Sequence, residues 1–370
     1  MGASRRAAGD RASGEDSEGA RVGEYEVAEG GGMKGVKGEI QSRLREINLV
    51  SFSGGKDSTV VLQHVLSAIG ESGKKLFIVT ADTLMEIPYF QGYVDRTRDK
   101  IRDFIKTKGI NAEVVTVTPA VKKSFWVSVI GKGYPAAHMG FRWCTGVLKI
   151  DPITLFTRKA TRGKEYAVFV GVRSSESALR ARIYKQKDYK PNHFAPILDW
   201  SSHDVWDYLM TEACLWGESH RELIDVYKYS SDECVYGEAQ GVCVGNARYG
   251  CWACPLQKVS QLDMIGYHTK DEKRYRKLKE YKLLLTSLAS QESYRSKIRR
   301  NGDAGLGPFL VEVREVLLQR LKEAEEATGW QLITAEEETF IHEHWAKDRD
   351  THNVAPDPTQ PSLWGAMDFI

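Results

Sequence analysis

An α/β protein with a doubly wound, mainly parallel sheet is predicted by three features of this 370-residue sequence. Apolar runs of strand length alternate with helical stretches over the first half of the chain. A glycine-rich loop in SFSGGKDST, 51–59, joins the first strand to its helix. Three polar loops, SGGKDS, ADT and GVRSSES, each follow a predicted strand, where open α/β sheets bind their ligands.

Residues 1–38 are rich in Gly, Ala, Glu and Arg and poor in large apolar side chains, which predicts a disordered leader with Met33 as an alternative start. EIQSRLREI, beginning at Glu39, reads as a helix. INLVSF is a buried strand, and Asp57 to Ile69 a helix with Val60, Val61, Val65, Leu66 and Ile69 on its apolar side. KLFIVTAD is a second strand, followed by a helix from Pro88 to Gly109. AEVVTVT and YAVFVGVRS are the third and fourth strands. SSHDVWDYLMTEA opens on an N-cap serine and closes the sheet-forming unit, 39–212. A cysteine-rich segment spans 213–260, a basic helical region 261–350, and a proline-containing tail 351–370.

Composition narrows the class. The chain is 42% hydrophobic and 28% charged with a net charge of +2, ordinary for a globular protein and without a global polyanion-binding signature. It has no apolar run of about 18 residues to span a membrane. The N-terminus lacks a secretory apolar core, so the expected compartment is the cytoplasm, where clustered cysteines serve metals or chemistry rather than disulfides.

SGGKDS lacks the Walker spacing but has phosphate-binding parts. Gly54 and Gly55 admit close approach of backbone N–H groups, and the loop runs into a helix N-terminus. Ser53 and Ser58 add hydroxyls, and Lys56 adds charge. Asp57 is placed to cap the helix or to help hold Mg²⁺. The bland reading is a glycine turn that binds nothing. In GVRSSESALRAR, Arg173 and Arg180 suit an oxyanion, against the alternative of a solvated basic helix start.

Six cysteines are present: Cys144, Cys214, Cys234, Cys243, Cys251 and Cys254. Cys251-Trp-Ala-Cys254 puts two thiolates on one ion or cluster, Cys243 adds a third, and Cys144 is the best fourth. Arg142 and Lys149 flank Cys144 in what reads as a basic loop, which lowers a thiol pKa. One CxxC rather than two favours a [4Fe–4S] cluster over zinc, with unliganded thiols as the remaining reading. Cys214 reads as a core residue in a helix, and Cys234 is undecided. Residues 271–300 hold ten Lys/Arg against four Asp/Glu, with Tyr275, Tyr281 and Tyr294 interleaved, suiting either a DNA contact or a solvated helix face.

SGGKDS resembles the PP-loop of ATP pyrophosphatases, with an adenine nucleotide alpha hydrolase-like fold. The resemblance implies ATP-contacting roles for Ser53, Gly54, Gly55, Lys56, Asp57, Ser58, Asp82, Thr83 and Gly171. GVRSSESALR and PILDWSSHDVWDYL resemble the phosphoadenosine phosphosulfate reductase branch. With RWCT, LKIDP and C-x7-C-W-x-C, the chain looks like the DNA phosphorothioation sulfurtransferases, DndC-like or SspD-type.

That resemblance implies ATP with Mg²⁺, and catalytic roles for Lys56, Asp57, Arg173 and Arg180. It also implies substrate contacts from Arg142, Lys149, Arg299 and Arg300, and a cluster on Cys144, Cys243, Cys251 and Cys254. Expected partners are DNA, a cysteine desulfurase as sulfur donor and other phosphorothioation proteins; a homo-oligomer is compatible. Rivals are an adenylyl-sulfate or phosphoadenylyl-sulfate reductase, an iron–sulfur-dependent tRNA thiolation enzyme and a non-catalytic ATP- and cluster-binding scaffold. The reductase is disfavoured because no cysteine follows Cys254.

Overall fold

The computed structural model describes residues 31–70, 72–137, 141–176, 192–230, 250–289 and 291–351. Its centre is a five-stranded parallel sheet of β1 (Ile47–Ser51), β2 (Lys75–Ala81), β3 (Ala112–Val117), β4 (Tyr166–Phe169) and β5 (His193–Phe194). The strand order is β3-β2-β1-β4-β5. The chain builds outward from β1 on one side, then crosses to the other, so the switch point lies between β1 and β4. The doubly wound parallel sheet expected from the sequence is therefore present.

β1 is buried along nearly its whole length, and its fully buried polar residue shows how such a strand is tolerated. Asn48 accepts from Arg45 N and donates through Nδ2 to Arg45 O and Lys75 O, so no buried amide group is left unpaired. The same bonds tie the start of β1 to β2.

Helix α1 (Gly31–Arg43) corrects the expected leader, which was drawn to residue 38. Glycines at 31, 32, 35 and 38 weaken helix propensity. Val36, Ile40 and Leu44 recur every four residues, however, and are buried in the core that includes α2 (Lys56–Ile69). Tertiary burial outweighs local propensity here, at roughly 1.5–3 kcal/mol per buried aliphatic side chain.

α3 (Pro88–Thr107) follows β2 with proline in its first turn, and α4 (Asp151–Ala160) follows a π-helical run, Thr145–Ile150. Cys144 thus lies in the first turn of a helical run rather than in a loop. α5 (Ser202–Thr211) begins with the expected serine: Ser201 and Asp204 form a reciprocal capping box. α6 is Arg221–Ser230. Cys214 lies beyond the end of α5, not in a helix, but is buried in the core as expected. Gln63 of α2 holds that turn by donating to Ala213 O and accepting from Leu215 N.

The C-terminal region supplies α7 (Ser260–Thr269), α8 (Glu272–Ala289), α9 (Val311–Thr328) and α10 (Ala335–Thr351). α9 and α10 pack on a buried π-helix, Val127–Gly131, and satisfy two of its carbonyls. Trp345 Nε1 donates to Ile130 O and Arg314 to Gly131 O. Arg314 and Arg300 both donate to Asp348, closing a buried charge cluster between α9, α10 and the 295–307 loop. Among the described residues no helix is long and apolar enough to cross a membrane.

Two buried histidines make the fold acid-sensitive. Burial pushes the His64 and His220 pKa down from 6.5 to about 4. The ring of His64 lies against Tyr208 and Trp200, and its Nε2 has no hydrogen-bond partner among the described residues. A lowered native pKa means that the unfolded chain binds the proton first as pH falls. Stability is therefore full above about pH 6.5 and is lost towards pH 4, by on the order of 1.4 kcal/mol per pH unit per ring. Urea melts across this window should show that slope, and His64→Leu should remove roughly half of it. An unchanged slope in His64→Leu would contradict the assignment.

Candidate functional site

The loop after β1 is closed on itself by its serines. Ser53 N donates to Ser58 Oγ, the two hydroxyl oxygens are 3.1 Å apart, and Gly55 N donates to Ser53 Oγ. Ser58 Oγ and Thr59 Oγ1 both donate to Gly55 O. Gly54 has φ +76°, and a Cβ there would lie 2.5 Å from Val94 Cγ2, so only glycine fits. The N-cap of α2 is Gly55, which corrects the expectation that Asp57 might fill that place. The loop delivers a helix N-terminus to the switch point, the arrangement that binds phosphate.

Asp57 instead faces the loop after β4. Its Oδ1 accepts from Arg173 Nε at 2.5 Å, while Arg173 Nη1 donates to Ser175 Oγ. Lys56 Nζ lies 3.8 Å from Asp57 Oδ2 and sits over the rings of Tyr227 and Trp206. Tyr227 also receives the Lys56 backbone N–H through its hydroxyl oxygen. Lys56 and Arg173 are both buried, and among the described residues the Asp57 carboxylate lies beside both charges. Lys56, Asp57 and Arg173 thus form a charged triad beside the phosphate loop.

Gly171 acts through packing. A Cβ on it would lie 2.7 Å from Asp57 C and Ser58 N, so the β4 loop and the phosphate loop touch backbone to backbone. Glu176 lies in a short 3-10 turn, Ser174–Glu176, after that contact.

After β2, Asp82 Oδ1 accepts from Leu84 N, and Leu84 is held at φ +63° with its side chain exposed. Thr83 is buried. Its backbone N–H and its hydroxyl both donate to Glu86 Oε2, at 3.1 and 2.7 Å. Met85 N adds a third donor. Burial drives the Glu86 pKa up, while Lys149, 3.8 Å away, and the Thr83 bond oppose this.

The CxxC segment docks on this same turn. Cys251 and Glu86 form an antiparallel bridge, and Trp252 N donates to Met85 O at 2.9 Å. Thr83 Oγ1 is 3.5 Å from Cys251 Sγ. Cys254 N donates to Cys251 O, and Gln257 N to Cys254 O. Lys282 of α8 donates to Gln257 O from a buried position. Trp252 packs against Trp126 and Tyr281.

Cys251 is half-buried, and burial, with the nearby Glu86 charge, pushes its thiol up to about 12. Burial also raises the Cys144 pKa, with Cys254 contributing and Arg142 opposing. This corrects the expectation that a basic loop lowers it: desolvation outweighs the neighbouring cations. Cys144, Cys251 and Cys254 are thus electrostatic neighbours, a donor set suited to a soft metal. Among the described residues no three His, Cys, Asp or Glu form a complete metal-binding group. Cys243, Cys234 and Arg180 lie outside the described residues.

The proposed DNA-facing side chains are only partly available. Tyr275 and Tyr281 are buried, and Tyr281 donates to Leu317 O, so they do not form a stacking platform. Lys282 is buried, Arg295 donates to Gly307 O, and Arg300 to Lys132 O and Asp348. Arg142 and Arg299 are exposed. Lys149 is half-buried beside Glu86.

Residues 47–223 match the phosphoadenosine phosphosulfate reductase domain. The matched span runs from β1 into α6 and contains the phosphate loop, Asp82, Thr83, Glu86, Cys144 and Arg173. The CxxC and the C-terminal helices lie outside it.

Two uncharacterised proteins of Methanocaldococcus jannaschii are similar to the chain. One is 28% identical over 227 residues, covering 60% of this chain and 39% of the relative. The other is 27% identical over 210 residues, covering 55% and 40%. The chain spans about two fifths of the length of these curated relatives. A solved structure, the U34-tRNA thiolase NcsA of Methanococcus maripaludis with its [4Fe-4S] cluster, aligns at 12% identity with a TM-score of 0.32, over 70% of this chain and 78% of that one.

Glu86, Tyr227 and Lys282 were missed from sequence. Glu86 had a readable signal: in LMEIP a lone acid sits between Met85 and Ile87, both buried. A buried acid between apolar neighbours needs donors. Tyr227 and Lys282 act from distant segments and carry no local signal.

Gly171→Ala should push the β4 loop off the phosphate loop. The expected cost is about 1–3 kcal/mol in thermal or urea melts, with weaker ATP binding by titration calorimetry. Wild-type stability and affinity in this variant would contradict the close-packing role.

Proposed function

We propose that the chain is an ATP pyrophosphatase of sulfur transfer: it adenylates a phosphate oxygen of DNA, and sulfur then replaces that oxygen to give a phosphorothioate. The supporting observation is the contact of Thr83 with Cys251, which sets the nucleotide loops and the CxxC side by side. A phosphate loop alone supports nucleotide use. A phosphate loop sharing a buried turn with a cysteine pair supports activation and sulfur delivery in one place.

In this reading ATP, with Mg²⁺, lies on Ser53–Ser58 with its adenosine towards Asp82 and Thr83. A non-bridging DNA oxygen attacks the α-phosphorus, and pyrophosphate leaves. The persulfide sulfur then displaces AMP, which carries away the original oxygen, and a second thiol cleaves the S–S bond, leaving sulfur on phosphorus and a disulfide on the donor. Positioning and charge neutralisation account for most of the catalysis, with Lys56 and Arg173 held in place by Asp57. Arg142, Lys149 and Arg299 face the second substrate, joined by exposed Lys273, Arg276 and Lys297. A cysteine desulfurase supplies the sulfur, and other phosphorothioation proteins complete the system. Cys144, Cys243, Cys251 and Cys254 would hold a [4Fe–4S] cluster or zinc, which supplies a rigid, electron-rich sulfur environment when bound.

The matched domain also favours a second reading, reduction of adenylyl sulfate or its phosphorylated form. Anaerobically purified protein incubated with ATP, Mg²⁺ and DNA should release pyrophosphate, and DNA from cells carrying the gene should contain phosphorothioate by mass spectrometry. Sulfite formed from adenylyl sulfate, without pyrophosphate release from ATP, would favour the reductase. Neither product would overturn both readings. Cys144→Ser should lower bound iron at least severalfold; unchanged metal content would remove Cys144 as a ligand.

A further inference from the structure

The hydroxyl of Thr83 has one proton, two lone pairs and two neighbours. It donates to Glu86 Oε2 at 2.7 Å, so its contact with Cys251 Sγ at 3.5 Å must be completed by the thiol proton. A Cys251 sulfur without its proton could be served only by the single hydroxyl proton, taken from Glu86. Either way the cysteine turn depends on an oxygen that stands at the C-terminal end of β2, beside the phosphate loop. β1 and β2 pair up to Ser51 and Val79, and Phe52 N donates to Val79 O, so the two loops leave the sheet together.

The rest of the contact is backbone. The bridge between Glu86 and Cys251 and the bond from Trp252 N to Met85 O hold the CxxC to the Thr83–Glu86 turn. On its other side the turn is anchored by Lys282 to Gln257 O. A change at the Thr83 side is therefore felt by one attachment of the cysteine turn while the other stays fixed.

From this geometry we infer that the Thr83 hydroxyl is a coupling element: a nucleotide that engages it competes with Cys251, and so loosens the CxxC from the Thr83–Glu86 turn. The inference rests on the nucleotide reading above and adds a direction to it. ATP binding makes Cys251 more accessible, when an activated substrate is present to use it. By linkage, a loosened cysteine turn favours nucleotide in return.

Hydrogen exchange of the full chain, resolved by peptide and measured with and without ATP, tests this. A peptide covering 53–58 reports nucleotide binding, and one covering 250–257 reports the cysteine turn. In wild type, ATP should slow exchange in 53–58 and speed exchange in 250–257 by about fivefold or more. Thr83→Val removes the hydroxyl and keeps the shape. Its 250–257 peptide should exchange fast both without nucleotide and at saturating ATP, and Thr83→Ser should restore the wild-type response. Protection of 53–58 with no change or slowing in 250–257 would overturn the coupling, as would a wild-type response in Thr83→Val. No ATP effect on 53–58 would overturn the nucleotide reading, and this inference with it.

Discussion

Burying a carboxylate among apolar side chains is costly unless donors converge on it, and Glu86 is placed where three do. Two come from Thr83 and one from Met85, so the turn after β2 folds around the acid. Lys149 faces it from the helical run that contains Cys144, and Cys251 pairs with it across an antiparallel bridge. Segments far apart in sequence thus meet on one side chain. If Glu86 were apolar, the Thr83 hydroxyl would lose its acceptor, Lys149 its partner, and the cysteine turn part of its seat.

The C-terminal helices serve the same place from behind. Trp252, between the two cysteines of the CxxC, packs on Trp126 and Tyr281, and Trp126 donates to Leu332 O. The end of the π-helical Val127–Gly131 segment relies on Trp345 and Arg314 for the Ile130 and Gly131 carbonyls. The helical region is therefore a wall supporting the cysteine turn and the sheet edge beside it, as well as a source of exposed basic side chains. Its most basic stretch had suggested an aromatic surface. The helix period instead turns Tyr275, Leu278, Tyr281, Lys282 and Leu285 inward.

Much of the sheet was legible because its strands are near-continuous apolar runs, as a parallel sheet covered on both faces requires. β5 escaped because His193–Phe194 is two residues long and carries no periodicity. α1 escaped because glycine content masked the Val36, Ile40, Leu44 spacing. In the site, the phosphate loop and Thr83 were readable from local motifs. The pairing of Asp57 with Arg173 was not, since it joins loops more than a hundred residues apart. The Cys144 pKa was read in the wrong direction because neighbouring charges are visible in sequence and burial is not.

The central claim is that phosphate loop, Thr83–Glu86 turn and CxxC form one site. A crystal structure with a bound non-hydrolysable ATP analogue tests it most directly. The account predicts the phosphates on the Ser53–Ser58 loop, the ribose or α-phosphate against Thr83, and Cys251 facing the α-phosphorus. A nucleotide lodged elsewhere, for instance in the cavity lined by Tyr93, Lys100, Trp216 and His220, would contradict it. So would a nucleotide on the phosphate loop with Cys251 turned away from it.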